Sequence, residues 1–356
     1  MKRILIMAGG TGGHVFPALA VALELQKRGL HVEWLGTKKG IESQCVPQEG
    51  LTIHYLNIAG VRGTGLKNLA LAPFHVIRAI KQARTLLRQI KPDLVVGFGG
   101  FVSGPGGFAA WLLRIPLVIH EQNAIPGTTN KILARFARYV LESFPESFHT
   151  MRHLRWTGNP VRAQITRLPI PVFRFESRSK ALRLLILGGS AGAQAINTVI
   201  PHAVALLPQQ DLEIWHQAGP KHEAATRAAY ESLNFPAIVA GFITDIAAAY
   251  EWADVVLCRA GATTIAELIA VGLGSILVPY PYATDDHQRY NAEYLVNVGA
   301  ATLVMQENLT AEYLYKVLDE LIKAGRPPLL EQAVNAKGLY RGSAVDQVVE
   351  ICLGLL

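Results

Sequence analysis

The sequence predicts an α/β protein built from two Rossmann-like domains whose parallel sheets face each other across a cleft. Three observations predict this fold. The chain has 356 residues, half of them hydrophobic, which is enough for two packed cores. Each half opens with a short apolar run, a glycine-rich turn and a helical pattern. Further apolar runs of strand length follow in both halves, and they end in glycine or polar residues.

The expected organisation is a first domain over residues 1–160, a second over 161–335, and a C-terminal helix over 336–356 that packs back on the first. Segment 163–181 is rich in proline and arginine and lacks periodicity, as is typical of a linker. No stretch has the roughly 20 uninterrupted apolar residues that a spanning helix needs. The three cysteines lie far apart and form no disulfide framework or metal-ligand spacing, which fits a reducing cytoplasm.

Positive charge is concentrated in the first half of the chain. Residues 1–160 hold 19 lysines and arginines against 8 aspartates and glutamates, whereas the whole chain has 34 against 27. Nucleic acid, an anionic membrane surface or a phosphorylated substrate would each be attracted to such a domain.

The first half begins with a predicted strand at Ile4–Met7, the turn Gly9-Gly10-Thr11-Gly12-Gly13-His14 and a helix over Pro17–Lys27. The turn is typical of phosphate binding, but the dinucleotide fingerprint requires a third glycine where Val15 stands. His14 lies where a strand ends and a helix begins. A histidine there can accept a proton from a hydroxyl near neutral pH. The alternative is a helix-capping or merely polar loop histidine.

A long helical pattern follows Pro73 and extends to Ile90, with an apolar stripe and surrounding lysines and arginines. Such a composition is typical of a surface that lies on anionic lipid. The alternative is a core helix with a solvated basic face. The surplus apolar residues near this pattern are Leu66, Leu69, Phe74 and Ile77.

Two more strands are predicted at Asp93–Val96 and Pro116–Ile119. The first runs into the densest glycine segment, Gly97–Gly107, which we expect to be a loop before a helix that starts at Phe108. The second ends in the polar run His120-Glu121-Gln122-Asn123. Both strand ends bring glycine N–H groups or polar side chains to one rim, which predicts a pyrophosphate-bearing or sugar-bearing ligand. A basic helix is expected over Lys131–Arg138.

The second half repeats the opening of the first. A strand at Leu182–Leu187 precedes the turn Gly188–Ala193 and a helix over Gln194–Leu207. Ser190 in this turn is a candidate phosphate ligand. Further strands are predicted at Leu212–His216, Ala237–Val239 and Ser275–Pro279.

The segment Asp254–Glu267 reads D-V-V-L-C-R-A-G-A-T-T-I-A-E and is the most informative in the chain. It predicts a strand at Val255–Leu257, a tight turn, and a helix capped by Thr263 and Thr264. The N–H groups at such a helix start attract an anion, and the Glu267 carboxylate can accept hydrogen bonds from two sugar hydroxyls. The segment therefore fits a nucleotide. An ordinary capped helix with a surface glutamate is the alternative.

A polar loop over Tyr280–Asn291 leads into a predicted helix at Ala292–Val298. His287, Gln288 and Asn291 fall within one turn, and imidazole and amide groups at that spacing suit a sugar with several hydroxyls. A capped helix start is the alternative. No Asp-X-Asp pair occurs in the sequence, so a metal-bridged nucleotide site of that kind has no visible ligands. Neither a metal nor a cofactor is expected.

Taken together, these motifs resemble the MurG family of bacterial glycosyltransferases, which have the two-domain GT-B fold. The resemblance implies inverting, metal-independent transfer of N-acetylglucosamine from UDP-N-acetylglucosamine (UDP-GlcNAc) to the 4-hydroxyl of the muramoyl-pentapeptide of lipid I. The product is lipid II, a precursor in peptidoglycan synthesis. The resemblance spans nearly the whole chain and is carried by Gly9–His14 with the following Val-Phe-Pro, Gly97–Gly107, His120–Asn123, Gly158–Arg162, Gly188–Ala193 and Cys258–Glu267.

The resemblance also implies that the donor binds mostly to the second domain. Ser190 and the backbone around Thr263 and Thr264 would hold the pyrophosphate. Glu267 would hold the ribose, and the backbone near Ile243 would read the uracil. Further donor contacts are implied at Thr11, Gly12, Gly13, Asn123, Arg162, Arg259, Ala262, Ile265, Ala266, Gln288 and Asn291.

For the acceptor, His14 is the predicted base and Glu121 the alternative.

The acceptor is lipid-anchored, so the resemblance implies a peripheral protein on the cytoplasmic face of the inner membrane, bound to anionic lipid. Nucleic acid is not an expected partner, whereas cell-wall synthesis and division proteins are candidate partners. The lipid pyrophosphate would face Gly10, Gly12, Gly13, Gly99, Gly100, Ser103 and Gly104. The membrane would contact Leu66, Leu69, Phe74, Ile77 and Trp111.

Two other functions remain alternatives. A UDP-sugar epimerase shares the two-domain layout and would need carboxylates that face the sugar, for which Glu121 is the obvious candidate. A non-catalytic, membrane-associated scaffold would not need intact ligand loops. A nicotinamide dehydrogenase is disfavoured by the incomplete dinucleotide fingerprints.

Overall fold

A computed structural model describes residues 1–58, 66–148, 153–176, 178, 180–189 and 192–356, with the backbone alone over residues 66–73. The chain divides into two compact units. The first unit comprises Met1–Arg162 and Arg341–Leu356, and the second unit comprises Ala163–Tyr340. Each unit is built on a parallel sheet, as the sequence predicts.

The sheet of the first unit reverses its strand order between two central strands. Its strands are β1 Arg3–Met7, β2 His31–Gly36, β3 Thr52–Tyr55, β4 Leu94–Gly97, β5 Leu117–Glu121, β6 Tyr139–Glu142 and β7 Leu154–Trp156. They pair in parallel in the order β3-β2-β1-β4-β5-β6-β7. The reversal between β1 and β4 is a topological switch point, where open α/β sheets bind ligands beyond the carboxyl ends of the strands.

The sheet of the second unit has the same kind of order. Its strands are β8 Leu182–Leu187, β9 Leu212–Gln217, β10 Ile238–Ala240, β11 Val255–Cys258, β12 Gly274–Leu277 and β13 Ala301–Leu303. They pair in parallel in the order β10-β9-β8-β11-β12-β13. Its switch point lies between β8 and β11, so the turn at Gly188 and the turn at Gly261 follow the two strands that flank it.

Helices connect the strands. In chain order they are α1 Gly12–Lys27, α2 Glu42–Gln48, α3 Leu66–Ile90, α4 Ser103–Leu112, α5 Thr128–Leu133, α6 Ala163–Thr166, α7 Pro171–Phe175, α8 Gln194–Val204, α9 Glu223–Ser232, α10 Ile246–Trp252, α11 Ala262–Val271, α12 His287–Val296, α13 Ala311–Ala324, α14 Arg326–Gly338 and α15 Ala344–Leu353. In the described ranges, none of them has the length and apolar character that crossing a membrane requires.

The central strands are continuous apolar runs because both of their faces are buried. In β1, Ile4 and Ile6 pack into one core cluster, whereas Leu5 and Met7 pack into another on the opposite face. The cluster with Ile4 and Ile6 also contains Val348, Val349 and Cys352 of α15. The last helix therefore supplies part of the first unit's core.

The prediction of a glycine loop up to residue 107 was wrong, because α4 begins at Ser103. The glycines inside this helix serve close packing. A Cβ at Gly107 would lie 2.8 Å from Cδ1 of Leu133, and a Cβ at Gly106 would collide with Sδ of Met7. Similarly, α1 begins at Gly12 and not at Pro17, so the end of the first glycine run is a helical turn.

Two other expected segments also differ. The predicted linker over 163–181 contains the short helices α6 and α7, which belong to the second unit. The basic helix expected at Lys131–Arg138 instead spans Thr128–Leu133. Both segments are short and lack a clear apolar period, which is the signal on which sequence-based prediction of helix bounds depends.

Candidate functional site

Two glycine turns meet at the switch point of the first unit's sheet. One turn follows β1 and the other follows β4. A Cβ at Gly100 would collide with the carbonyl oxygen of Gly9. Gly100 also has a φ of +78°, in the left-handed region that favours glycine. The two backbones therefore approach each other as only glycine permits, and the starts of α1 and α4 lie at the same edge.

His14 lies in the first turn of α1, at this edge. Its Nδ1 is 3.3 Å from Oγ1 of Thr11, the residue that precedes the helix. A Cβ at Gly99 would lie 3.1 Å from Nε2 of His14, so the imidazole rests against the turn that follows β4. The ring is half-buried. The structure thus brings the predicted base and the second glycine turn together.

Glu121 is held by four hydrogen bonds. Its Oε1 accepts from the N–H of Asn123 at 3.0 Å and from Nδ2 of Asn123 at 3.2 Å. Its Oε2 accepts from the N–H of Gly127 at 3.0 Å and from Nδ2 of Asn130 at 2.9 Å. The side chain is buried. Because these donors occupy the carboxylate, Glu121 organises the loop before α5, and the geometry favours His14 as the base.

Two of the predicted acceptor contacts are engaged inside the protein. The N–H of Gly10 donates to Oε2 of Glu42 at 3.0 Å. The buried hydroxyl of Ser103 lies 2.6 Å from the carbonyl oxygen of Gly99 and 3.1 Å from that of Met7. These groups fasten the two turns. The remaining predicted acceptor contacts Gly12, Gly13, Gly99, Gly100 and Gly104 lie in the turns or in the first turns of α1 and α4.

Arg162 and Asn123, the other first-unit residues implied for the donor, are also packed against protein groups. The guanidinium of Arg162 lies 5.7 Å from the centre of the Phe16 ring in α1. The carbonyl of Asn123 accepts from the hydroxyl of Ser147 at 3.3 Å, in addition to its contacts with Glu121. Both side chains are therefore oriented before any ligand binds.

His120 begins the polar run at the end of β5, and the sequence did not reveal its environment. Its Nε2 lies 3.0 Å from the carbonyl oxygen of Gly158, and its Nδ1 lies 3.0 Å from Nε2 of Gln122. Complete burial lowers the pKa of His120 from 6.5 to about 4. The ring is therefore neutral, donates from Nε2 to Gly158, and holds the turn that precedes Arg162. It is a structural group and not a second base.

In the second unit, α11 begins at the switch point and has no side-chain cap. Its N-cap is Gly261, so the prediction that Thr263 and Thr264 cap the helix was wrong. Both threonines lie inside the first turn and are partly exposed. An uncapped helix N-terminus presents N–H groups that suit an anion. Of the neighbouring predicted contacts, Ala262 and Ile265 are buried, and Ala266 is half-buried.

Glu267 is held in the second turn of α11 by a buried phenol. The hydroxyl of Tyr250 in α10 donates to Oε2 of Glu267 at 2.9 Å, and both side chains are buried. Burial, together with the charge of Glu267, raises the pKa of the Cys258 thiol to about 12, so this cysteine is not a nucleophile. Ser190, the predicted phosphate ligand, lies outside the described residues.

Two predicted donor contacts, Arg259 and Asn291, connect the loops after β11 and β12, and a third, Gln288, makes a hydrogen bond to the loop after β12. Arg259 donates to the carbonyl oxygens of Val278 and Pro279, at 3.1 Å each, and to Oε1 of Gln306 at 2.6 Å. Nδ2 of Asn291 donates to the carbonyl oxygen of Ala260 at 3.1 Å. Oε1 of Gln288 accepts from the N–H of Tyr280 at 2.9 Å. These side chains fix the shape of the loops.

A cavity of about 700 Å³ lies beside these loops within the second unit. Its wall combines glycine backbone from the turn after β8 with polar and aromatic side chains. The lining includes Gly188, Gly192, His222, Arg259, Tyr280 and Gln288. Its size and mixed lining suit a small polar ligand.

Ile243 is less accessible than the resemblance implies. Its N–H donates to Oε1 of Gln217 at 2.9 Å, and the pair is buried. A uracil ring recognised through this N–H would have to displace the side-chain amide of Gln217 as its hydrogen-bond partner. Gln217 thus stands out as a residue that the sequence alone did not identify, because its partner lies on a different loop.

The structure describes the side chains of three of the five residues predicted to face the membrane. The side chains of Leu66 and Leu69 lie outside the described part of the structure. Phe74, Ile77 and Trp111 are 64%, 54% and 44% exposed, and their helices α3 and α4 pack against each other.

Among the described residues, no three His, Cys, Asp or Glu side chains are placed to hold a metal ion.

Comparisons with known proteins match the chain over nearly its full length. Residues 4–142 match the glycosyltransferase family 28 N-terminal domain, and residues 183–347 match the family 28 C-terminal domain. A Marinobacter nauticus protein is 51% identical over 99% of this chain and 97% of its own length. A Nitrosococcus oceani protein is 48% identical over 99% and 98%. Both are named UDP-N-acetylglucosamine–N-acetylmuramyl-(pentapeptide) pyrophosphoryl-undecaprenol N-acetylglucosamine transferase.

Among solved structures, the crystal structure of Acinetobacter baumannii MurG is similar to this chain. It superposes with a TM-score of 0.86 at 40% identity, over 99% of this chain and all of the other. The two-domain fold expected from the glycine turns is therefore confirmed.

Proposed function

The chain belongs to glycosyltransferase family 28, and from this membership we infer that it transfers N-acetylglucosamine from UDP-GlcNAc to lipid I, which yields lipid II. Relatives that are 45–51% identical over nearly the whole chain carry the name of this reaction. The resemblance of its sequence motifs implies the same reaction. The epimerase alternative is not favoured, because the named relatives are transferases.

The observation that carries the donor proposal is the start of α11. An uncapped helix N-terminus and a buried, oriented carboxylate lie together after β11, at the switch point of the second unit. The helix end suits the donor pyrophosphate and Glu267 suits the ribose hydroxyls. As the bond to UDP breaks, negative charge grows on the pyrophosphate, and the helix dipole stabilises it. This arrangement supports transfer without a metal ion.

The acceptor proposal rests on the first unit. His14 takes the proton from the attacking hydroxyl, and the starts of α1 and α4 hold the lipid pyrophosphate. In the productive tautomer, Nδ1–H donates to Oγ1 of Thr11, so that the basic lone pair is on Nε2. Glu121 keeps its role as an organiser of the adjacent loop. The resulting oxygen nucleophile attacks the sugar carbon and inverts its configuration.

The membrane proposal rests on exposed apolar side chains in a basic unit. Phe74, Ile77 and Trp111 project from two helices that pack together, and Leu112 and Ile132 are also exposed. Aromatic and aliphatic side chains among lysines and arginines bind anionic bilayers from the surface. The chain would therefore meet its lipid-anchored acceptor at the inner leaflet as a peripheral protein. Sedimentation with phosphatidylglycerol vesicles tests this, with Phe74→Ser expected to weaken binding.

The decisive experiment follows labelled N-acetylglucosamine from UDP-GlcNAc to a lipid I analogue. We expect transfer by the wild type, no inhibition by a chelator, and loss of UDP affinity in Glu267→Ala. Incubation with UDP-GlcNAc alone is the control. A second UDP-sugar formed without acceptor would support an epimerase, and intact UDP binding by Glu267→Ala would contradict the ribose assignment. Chelator-sensitive transfer would contradict the metal-free mechanism.

A further inference from the structure

Glu42 is a fully buried carboxylate beneath the glycine turn that follows β1. Its Oε2 accepts from the N–H of Gly10 at 3.0 Å. Its Oε1 accepts from the N–H and the hydroxyl of Thr37, at 2.8 Å each. A buried carboxylate is strongly unfavourable without such donors. The three hydrogen bonds therefore explain how this charge is tolerated inside the first unit.

Three glycines make room for the Glu42 side chain. A Cβ at Gly9 would lie 2.6 Å from Oε1 of Glu42, and a Cβ at Gly36 would lie 2.7 Å from its Cγ. A Cβ at Gly40 would collide with the carboxylate itself. Side-chain atoms do not approach this closely, so the glycines and Glu42 form one packed arrangement. The glycines of the turn are needed as much for this carboxylate as for a ligand.

The carboxylate contacts the turn at the point where it leads into α1. Gly10 precedes Thr11, the N-cap of α1, and His14 follows in the first helical turn. The backbone of Gly100 also packs closely against Gly9. The turn is thus held both by Glu42 and by the segment after β4. Any movement of Gly10 would be passed on to His14.

We propose that Glu42 is a positioning residue that fixes the acceptor-side glycine turn and, through it, His14. It acts through the Gly10 N–H and contacts neither substrate. A carboxylate is required because both of its oxygens accept hydrogen bonds, whereas a glutamine would present its NH₂ group to one of the two backbone N–H donors. The kinetic part of this inference rests on the proposed function, in which the first unit binds the acceptor.

The test compares Glu42→Gln with Glu49→Gln in the full-length protein. Glu49 follows the same helix, α2, and is exposed, so it gives a matched loss of charge. For Glu42→Gln, we expect kcat/KM for a lipid I analogue to fall about ten- to hundredfold, as for a lost hydrogen bond to a charged group. The Kd for UDP should change less than about twofold, because the groups proposed to hold UDP, the start of α11 and Glu267, belong to the second unit, whereas Glu42 is hydrogen-bonded to Gly10 and Thr37 in the first. Glu49→Gln should match the wild type.

A second measurement does not depend on the reaction. Hydrogen exchange of the segment spanning residues 8–14 should be faster in Glu42→Gln than in Glu49→Gln. Thr37→Val removes the hydroxyl that donates to Glu42 and accepts from the N–H of Gly40, but it leaves the carboxylate and its bond to Gly10 in place. It should therefore change acceptor kinetics and exchange in the same direction by a smaller amount. This variant carries the test if Glu42→Gln does not fold.

The inference is overturned if Glu42→Gln and Glu49→Gln have equal acceptor kinetics and equal exchange. It is also overturned if UDP affinity falls in parallel with acceptor turnover, which would indicate general unfolding. If the wild type transfers no sugar, the proposed function is contradicted instead. Faster exchange in Glu42→Gln would then still support the role of Glu42 in the turn.

Discussion

The hydrogen bond between Tyr250 and Glu267 allows the ribose assignment to be tested quantitatively. Tyr250→Phe removes only the hydroxyl that donates to Oε2 of Glu267 at 2.9 Å. The two residues are 1% and 7% exposed, so water does not readily replace the lost donor. A hydrogen bond to a charged group contributes about 1.5–3 kcal/mol. We expect about 1–2 kcal/mol of this loss to appear in UDP binding, which corresponds to a Kd that is about five- to thirtyfold weaker.

Isothermal titration calorimetry with UDP provides the measurement, and Tyr230→Phe is the matched control. The Tyr230 hydroxyl is also buried, but it lies 3.0 Å from Nδ1 of His216 and not beside a carboxylate. The control should therefore lower the thermal unfolding midpoint and leave UDP affinity unchanged. If Tyr250→Phe is folded and binds UDP as tightly as the wild type, Glu267 is not oriented for the ribose in the way we describe.

Other perturbations separate the remaining roles. His14→Ala should lower kcat by about two to four orders of magnitude in the transfer assay without weakening UDP binding, and a near-normal kcat would exclude it as the base. Gly100→Ala places a Cβ against the Gly9 carbonyl at a φ of +78°. Urea denaturation should show a loss of about 1–3 kcal/mol, and an unchanged midpoint would contradict the close approach of the two turns. Burial lowers the pKa of His120 from 6.5 to about 4, so the unfolded chain binds the proton more readily. The contribution of His120 to stability is therefore complete above pH 6.5 and is lost as the pH falls towards 4. Denaturation at pH 5 should show a loss of about 2 kcal/mol relative to pH 8, and His120→Gln should lose less over the same range.

The central strands were predictable because a strand that is buried on both faces appears in the sequence as a continuous apolar run. Leu182–Leu187 is apolar at nearly every position, and the structure buries nearly all of it. Edge strands have a weaker apolar pattern. Thr52–Tyr55 and Leu154–Trp156 are short and partly exposed, so their composition is mixed and they were not predicted.

Glycine turns follow β1 and β4 as the sequence predicts, but the sequence revealed neither where these turns end nor why each glycine is needed. Gly100 and Gly106 belong to the same glycine-rich segment, yet one permits a close backbone approach and the other permits a helix to pack on Met7. A local pattern cannot separate these cases, because the atom that excludes a Cβ comes from elsewhere in the chain. For the same reason, Glu42 and Gln217 escaped notice. Their partners Gly10 and Ile243 are 32 and 26 residues away.

The return of α15 to the first unit has a consequence for biosynthesis. The second unit is uninterrupted from Ala163 to Tyr340, whereas the sheet that begins at β1 depends on Val348, Val349 and Cys352. Domains usually mature on the ribosome in the order in which they are translated. Here the core of the nascent N-terminal half lacks these three apolar side chains until the final helix emerges. Chaperones that recognise exposed apolar side chains would therefore find their target in the part of the polypeptide that was made first.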